Sequence, residues 1–357
     1  MRLDEVLKMI ADLRNVLVTG GAGFLGSVIV RKLLEEYPDT NIIVLDKSVE
    51  PADEQLSRIQ YYRADITLPQ EVRGVFDATK PDAVIHTAGL IPSLSERYQR
   101  RLEKLVFSIN VDGTRNVLEA AMAAKCNIFI YTSSCCAVTD DLTSSFANID
   151  ETWPVSRESS IYGESKVKAE ELVFAAQGPN FATCILRPSV IYGESDEQLI
   201  PSIYACIAKG ETRYVIGKGT NLWDVDYVGN VADAHLLALK NLLTSKSAAG
   251  EVFFIQHNEA VPFRDLCLEI WKHFHHIPPY EITIPASFGW LMGTLAEWYS
   301  WLTGQPVTLS RGSVMDACAV RYASGRKARE TLGHEPRVRL DEGLRLSCEV
   351  ISRRAVN

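Results

Sequence analysis

A tyrosine with a lysine four residues later, in "SSIYGESKVKAEELV", is the pair in this sequence best suited to proton chemistry. On a helix Tyr162 and Lys166 leave one face about one turn apart. A phenol, with a reference pKa of about 10, is a poor base near neutrality, and a neighbouring ammonium favours its ionised form. Tyr162 can then take the proton of an alcohol. The word Ile-Tyr-Gly-Glu-Ser recurs at residues 191–195, but four places after Tyr192 stands Asp196, whose charge opposes a phenolate. Pro188 ends the run before this second copy and sets it in a loop. Charge and setting both select Tyr162, leaving Tyr192 to shape the pocket.

Hydroxyls come next. Ser133 ends the apolar run "NIFIYTS" and Ser134 follows it, and either can hold a substrate oxygen and stabilise transition-state charge. Asn110, in "SINVDGTRNVLEAA", is polar inside an otherwise packed stripe; it satisfies a backbone kink, lines a proton path, or does both. Three histidines in "WKHFHHIP", His273, His275 and His276, have no carboxylate or cysteine at ligand spacing, so no metal is expected.

These groups need a scaffold that brings them together. Apolar, β-branched runs at 15–20, 41–46, 59–65, 82–88, 127–133 and 182–188 alternate with helix-length segments. Strands without polar alternation are buried on both faces, as in a doubly wound parallel sheet, where ligands bind at the carboxyl ends of the strands. The predicted fold is α/β, a Rossmann-type sheet with a smaller, discontinuous substrate-binding domain toward the C-terminus. The first domain spans 1–190, with 225–257 returning to it through a strand at Val252–Ile255; the second takes 191–224 and 258–357.

"VTGGAGFLG" sets Gly20, Gly23 and Gly26 between the first strand and a helix, where backbone amides can approach a pyrophosphate at the helix N-terminus. The second strand ends in Asp46. A carboxylate there accepts hydrogen bonds from ribose hydroxyls and repels a 2′-phosphate, so it favours NAD over NADP; the competing reading is a solvated strand end. Asp65 closes the third strand, where it meets an adenine amino group or simply opens a turn. The expected dinucleotide contacts are Gly20, Gly23, Phe24, Leu25, Gly26, Asp46, Asp65, Ile66, Thr87, Ala88, Gly89, Asn110, Tyr162, Lys166, Pro188 and Val190.

Composition narrows the partners. The 357 residues are 46% hydrophobic and 23% charged with a formal net charge of -8, and no basic tail is present, which argues against nucleic acid. Eight cysteines form no Cys-x-x-Cys pair and suit a reducing compartment. Residues 1–12 alternate charged and apolar positions as a short amphipathic helix does, unlike a signal peptide, so an intracellular protein is expected. Residues 284–302, "IPASFGWLMGTLAEWYSWL", carry one charge; they fit a buried helix or a surface resting on lipid better than a span.

"TGGAGFLG", "HTAG", "YTSS", Tyr162-x-x-x-Lys166 and "LRP", in this order, resemble the extended short-chain dehydrogenases/reductases. "DETWP" at 150–154, "GNVADAH" at 229–235 and "RKARETLGHEPRV" near the C-terminus resemble the 3β-hydroxysteroid dehydrogenase/isomerase family, and within it the sterol-4α-carboxylate 3-dehydrogenase branch. The likeness runs from about Asn15 to about Gly343. It implies a catalytic set of Ser134, Tyr162 and Lys166, with Lys166 also on the nicotinamide ribose and the loop after Pro188 beside the carboxamide. It implies a sterol-like substrate oxidised by NAD, with loss of a C4 carboxylate where one is present, and contact with the endoplasmic reticulum membrane. A homodimer is left open. The rivals are a nucleotide-sugar epimerase or dehydratase, a ketone reductase working in the reverse direction, and a non-enzymatic redox sensor.

Two stretches depart from the family pattern. "LIPSLSERYQRRLEKLVFSI" is longer and more basic, so Arg97, Arg100, Arg101 and Lys104 either meet a substrate carboxylate or, as is favoured, form a solvated helix face. Cys135 and Cys136 follow Ser134 where small residues are usual, and can reshape the pocket.

Overall fold

The computed structural model describes residues 13–49, 58–140, 145–156, 160–304, 307 and 309–356. The helical reading of residues 1–12 lies outside them. Strands β1 (Asn15–Thr19), β2 (Asn41–Asp46), β3 (Ile59–Arg63), β4 (Ala83–His86), β5 (Ile128–Thr132), β6 (Ala182–Pro188) and β7 (Glu251–Ile255) make one parallel sheet in the order β7-β6-β5-β4-β1-β2-β3. The central strands are buried except at Asn15, where β1 begins, since helices cover both faces. β3 is an edge strand, half-buried or exposed along its whole length. Two cores result. Ile29 and Leu33 of the Phe24–Glu36 helix pack one face with Val231 and Leu239 of the Val228–Leu243 helix, while Phe76, Val117 and Val173 pack the other.

The strand order reverses between β1 and β4, and the carboxyl ends there open the crevice in which such sheets bind ligands. A second, mixed sheet joins Val261–Pro262, Leu222–Trp223, Arg321–Ala323 and Phe146–Ile149. Its Phe146–Ile149 strand comes from early in the chain yet pairs with a strand from near the C-terminus. Short strands at Val190–Tyr192 and Val225–Tyr227 pair in parallel just beyond β6.

The helix Ala286–Thr303 turns little of its surface inward. Gly289 and Gly293 are its buried residues, and a Cβ on Gly293 would lie 2.7 Å from the Ser310 carbonyl carbon. That close crossing fixes it on the neighbouring Arg311–Cys318 helix. Phe288, Trp290, Leu291, Leu295, Tyr299 and Leu302 are exposed, and Trp298 and Trp301 reach 62% and 77% exposure. Among the described residues no helix is long and apolar enough to cross a membrane.

Candidate active site

A cavity of about 690 Å³ opens at the carboxyl ends of β1, β2, β4, β5 and β6, a size suited to a small-molecule site. All the residues expected to contact a dinucleotide or act in catalysis line it except Asn110. At one end lies the glycine loop. Gly20 has φ +68°, a left-handed conformation that favours glycine, and a Cβ on Gly26 would sit 2.1 Å from the Gly20 carbonyl oxygen. The backbone can therefore coil tightly. No side chain caps the first turn of the Phe24–Glu36 helix, whose free amides face the cavity as an anion site does. Loop and helix end fit the pyrophosphate of a dinucleotide.

Asp46 stands beside this loop, Oδ2 accepting from Ala22 N at 3.2 Å and Oδ1 from Ser48 N at 2.9 Å. Asp65 lies past the end of β3 and is engaged locally. Its Oδ1 accepts from the Thr67 amide (2.9 Å) and hydroxyl (2.7 Å), and Lys47 pairs with Oδ2 at 3.0 Å. The Thr67 amide leads these partners in lowering its pKa. Asp65 is thus a turn carboxylate that also lies on the cavity wall.

At the other end, Ser160 caps the helix Ile161–Ala176, which carries Tyr162 and Lys166 inward on one face. Lys166 Nζ donates to the Thr132 carbonyl at 2.9 Å and lies 5.7 Å from the Tyr162 ring centre. Burial lowers its pKa to about 8 while Glu170, one turn on, favours the charged form. Tyr162 is buried too. Burial raises its phenol above the ordinary value, Cys136 adds to this, and the Arg97 guanidinium and the Ser134 hydroxyl pull it down. The sequence pattern expects Lys166 to be the cation that lowers Tyr162; the structure adds a second, Arg97, with its guanidinium carbon 5.6 Å from the ring centre.

The two serines separate. Ser133 Oγ is committed to Glu170 Oε1 at 2.5 Å, which itself holds Arg187 through two bonds of 2.8 and 2.6 Å, both side chains buried. Ser134 Oγ accepts from Cys136 N at 3.2 Å and keeps its proton for another partner. Cys135 and Cys136 are buried on the cavity wall.

Asn110 sits in a wide π-helical turn, Ser108–Gly113, of the kind often met at functional sites. Its Oδ1 accepts from Leu90 N at 2.7 Å, and its Nδ2 donates to Leu90 O at 3.0 Å and Ser165 Oγ at 2.9 Å. It ties the loop after β4 to the helix of Tyr162, which makes it a structural pin one layer behind the cavity. His86 of "HTAG" has a similar duty, bonded to Thr19 and Thr114 through its two ring nitrogens and held neutral by burial, with a pKa of about 3.

Tyr192 is not a pocket wall. It is fully buried under the C-terminal helix, its hydroxyl 3.5 Å from the Leu340 carbonyl and so close to Gly343 that a Cβ there would reach within 2.5 Å. Asp196 turns away to accept from the amides of Gln198, Leu199 and Ile200 at the start of the Leu199–Ala208 helix. The basic run also divides. Arg100 pairs with Glu164 at 2.7 Å, Arg101 with Glu96, and Lys104 is exposed, the solvated face that was favoured; Arg97 turns into the cavity. Of the three histidines, His276 Nε2 meets the Thr212 hydroxyl at 2.8 Å.

Sequence reasoning missed Glu170 and Arg187. Glu170 follows Lys166 by one helical turn, a spacing that could have flagged it, whereas Arg187 meets it only through the fold.

The chain is 34% identical over 335 residues to a decarboxylating sterol-4-alpha-carboxylate 3-dehydrogenase of Schizosaccharomyces pombe, covering 93% of this chain and 96% of that one. It is 33% identical over 348 residues to the Saccharomyces cerevisiae protein of the same description, covering 92% and 95%. In structure it resembles a UDP-glucose 4-epimerase from Thermotoga maritima, with a TM-score of 0.72 at 24% identity over 96% of this chain and 100% of that one, a likeness of fold. Residues 17–286 match the 3-beta hydroxysteroid dehydrogenase/isomerase family, and the chain belongs to that family of extended short-chain dehydrogenases/reductases.

Proposed function

We propose that this protein oxidises the 3β-hydroxyl of a sterol or triterpenoid with NAD as acceptor, and that a C4 carboxylate, where present, leaves as CO2. The observation that carries this reading is the convergence of Tyr162, Ser134 and Lys166 at one end of a cavity whose other end is the glycine loop and Asp46. The sequence relatives named for sterol-4-alpha-carboxylates support the substrate class. A bound nicotinamide dinucleotide supplies the hydride acceptor. Asp46 would meet its adenosine ribose and disfavour a 2′-phosphate.

In this mechanism Ser134 Oγ donates to the carbinol oxygen and orients it. Tyr162 Oη takes the carbinol proton as the C3 hydrogen leaves as hydride. Lys166 would hold the nicotinamide ribose and, with Arg97, favours the phenolate. On a 4-carboxylated substrate the product is a β-keto acid. Its bond from C4 to the carboxylate breaks, the electron pair enters the C3–C4 enol, and the proton on Tyr162 passes to the enol oxygen. No additional catalytic group is needed.

The exposed Ala286–Thr303 helix supports a peripheral contact with lipid, as at the endoplasmic reticulum surface, from which an apolar substrate can be drawn.

The test pairs substrates with variants. Purified protein with NAD should form NADH from 3β-hydroxysterols and leave UDP-glucose unchanged. Tyr162→Phe should lose at least about 100-fold in kcat, the scale of a general base, while Tyr192→Phe keeps wild-type turnover. Turnover of UDP-glucose without NADH from any sterol would overturn the substrate class; full activity in Tyr162→Phe would overturn the mechanism.

A further inference from the structure

The basic segment after β4 puts one cation, Arg97, on the cavity wall with its Nε donor unspent among the described residues. Its guanidinium packs over the Tyr162 ring, and among the described residues its buried Nε has no hydrogen-bond partner. No carboxylate among the described residues comes within ion-pairing distance of it. Of the carboxylates that act on its charge, Asp316 is occupied elsewhere and Asp140 in part, its Oδ1 having no hydrogen-bond partner among the described residues. Asp316 is held by Arg321 and accepts from Tyr98 Oη at 3.2 Å, while Asp140 accepts from Ser160 and has Arg321 at 3.8 Å. Burial acts against the charge on Arg97, and Cys136, Asp140 and Asp316 more than offset it, so the guanidinium stays protonated. A half-buried cation with a free donor, facing a cavity, is matched by an anion that arrives with the ligand.

We propose that Arg97 binds the carboxylate of a 3β-hydroxy-4-carboxysterol and so selects acids over neutral sterols. This rests on the reading of the cavity as a 3β-hydroxysterol dehydrogenase site. A carbinol oxygen between Tyr162 and Ser134 places a carboxylate on the adjacent carbon beside the Tyr162 ring, where Arg97 lies. Its planar fork can take both carboxylate oxygens, which a lysine cannot do. Arg100, Arg101 and Lys104 have no part in this, being outside the cavity.

The experiment measures KM for NADH formation with a 3β-hydroxy-4α-carboxysterol and with its methyl ester, in wild type, Arg97→Gln and Arg97→Lys. The ester keeps the shape and removes the charge. Wild type should favour the acid by about 10- to 100-fold in KM, the worth of a charge-assisted hydrogen-bonded pair. Arg97→Gln should bring the acid-to-ester ratio close to one, and Arg97→Lys should recover only part of it. An effect of Arg97 through Tyr162 alone, or a purely structural role, shifts both substrates together and leaves the ratio where it was; that result overturns the proposal. Equal KM for acid and ester in wild type also overturns it, even if neither variant folds. Wild type that forms NADH from neither substrate overturns the underlying reading, and the proposal with it.

Discussion

At the scale of single residues, the site is a contest between burial and charge. Lys166 shows it best, since burial carries its pKa from 10.5 to about 8. The folded value lies below the unfolded one. Holding Lys166 charged therefore costs stability below about pH 8, and that cost is relieved as pH rises from about 8 to about 10.5. Wild type should gain on Lys166→Met by roughly 2–3 kcal/mol across that window, read by urea unfolding at several pH values. A difference that stays flat or shrinks with rising pH would mean the ammonium is better solvated than its position implies. The choice of Tyr162 over Tyr192 was legible because Lys166 and Asp196 carry opposite charge at the same offset. The role of Arg97 was not. Four basic residues in one run look alike in sequence, and only the short turn of Leu94–Arg97 sends one inward and three to solvent. The fate of Tyr192 was equally hidden, because its partners Leu340 and Gly343 lie near the far end of the chain.

At the scale of elements, the inner strands of the main sheet were legible because a strand buried on both faces must be continuously apolar, and such a run stands out between polar helices. The second sheet was not, since its strands have two to four residues and pair across most of the sequence. A run that short carries no periodicity. The helix Ala286–Thr303 was ambiguous for a different reason: composition shows that it is apolar but cannot show which side is covered. With Gly289 and Gly293 inward and the tryptophans outward, the helix should behave as an interfacial element. Wild type should float with phosphatidylcholine vesicles, and replacing both Trp298 and Trp301 by Glu should reduce the bound fraction about tenfold or more, given the apolar area withdrawn from lipid. Equal flotation of both proteins would leave the exposed face for some other purpose.

Over the whole molecule, the two sheets divide the work. The parallel sheet presents the glycine loop, Asp46, Ser134 and, through the helix that covers it, Tyr162 and Lys166. The smaller sheet and its helices are joined to that machinery by the buried chain Tyr98, Asp316, Arg321, Asp140 and Ser160, the last of which caps the helix of Tyr162. The exposed apolar helix packs on Arg311–Cys318, the element that carries Asp316, so that exposed surface and the Tyr162 end of the cavity share one scaffold. The central claim is that Tyr162 serves a hydride transfer from a sterol C3. A 3β-hydroxysterol deuterated at C3, incubated with NAD, tests it most directly by mass analysis of the reduced nicotinamide. The account predicts one deuterium in each NADH formed and a slower rate than with the undeuterated sterol; NADH that forms without deuterium would contradict it.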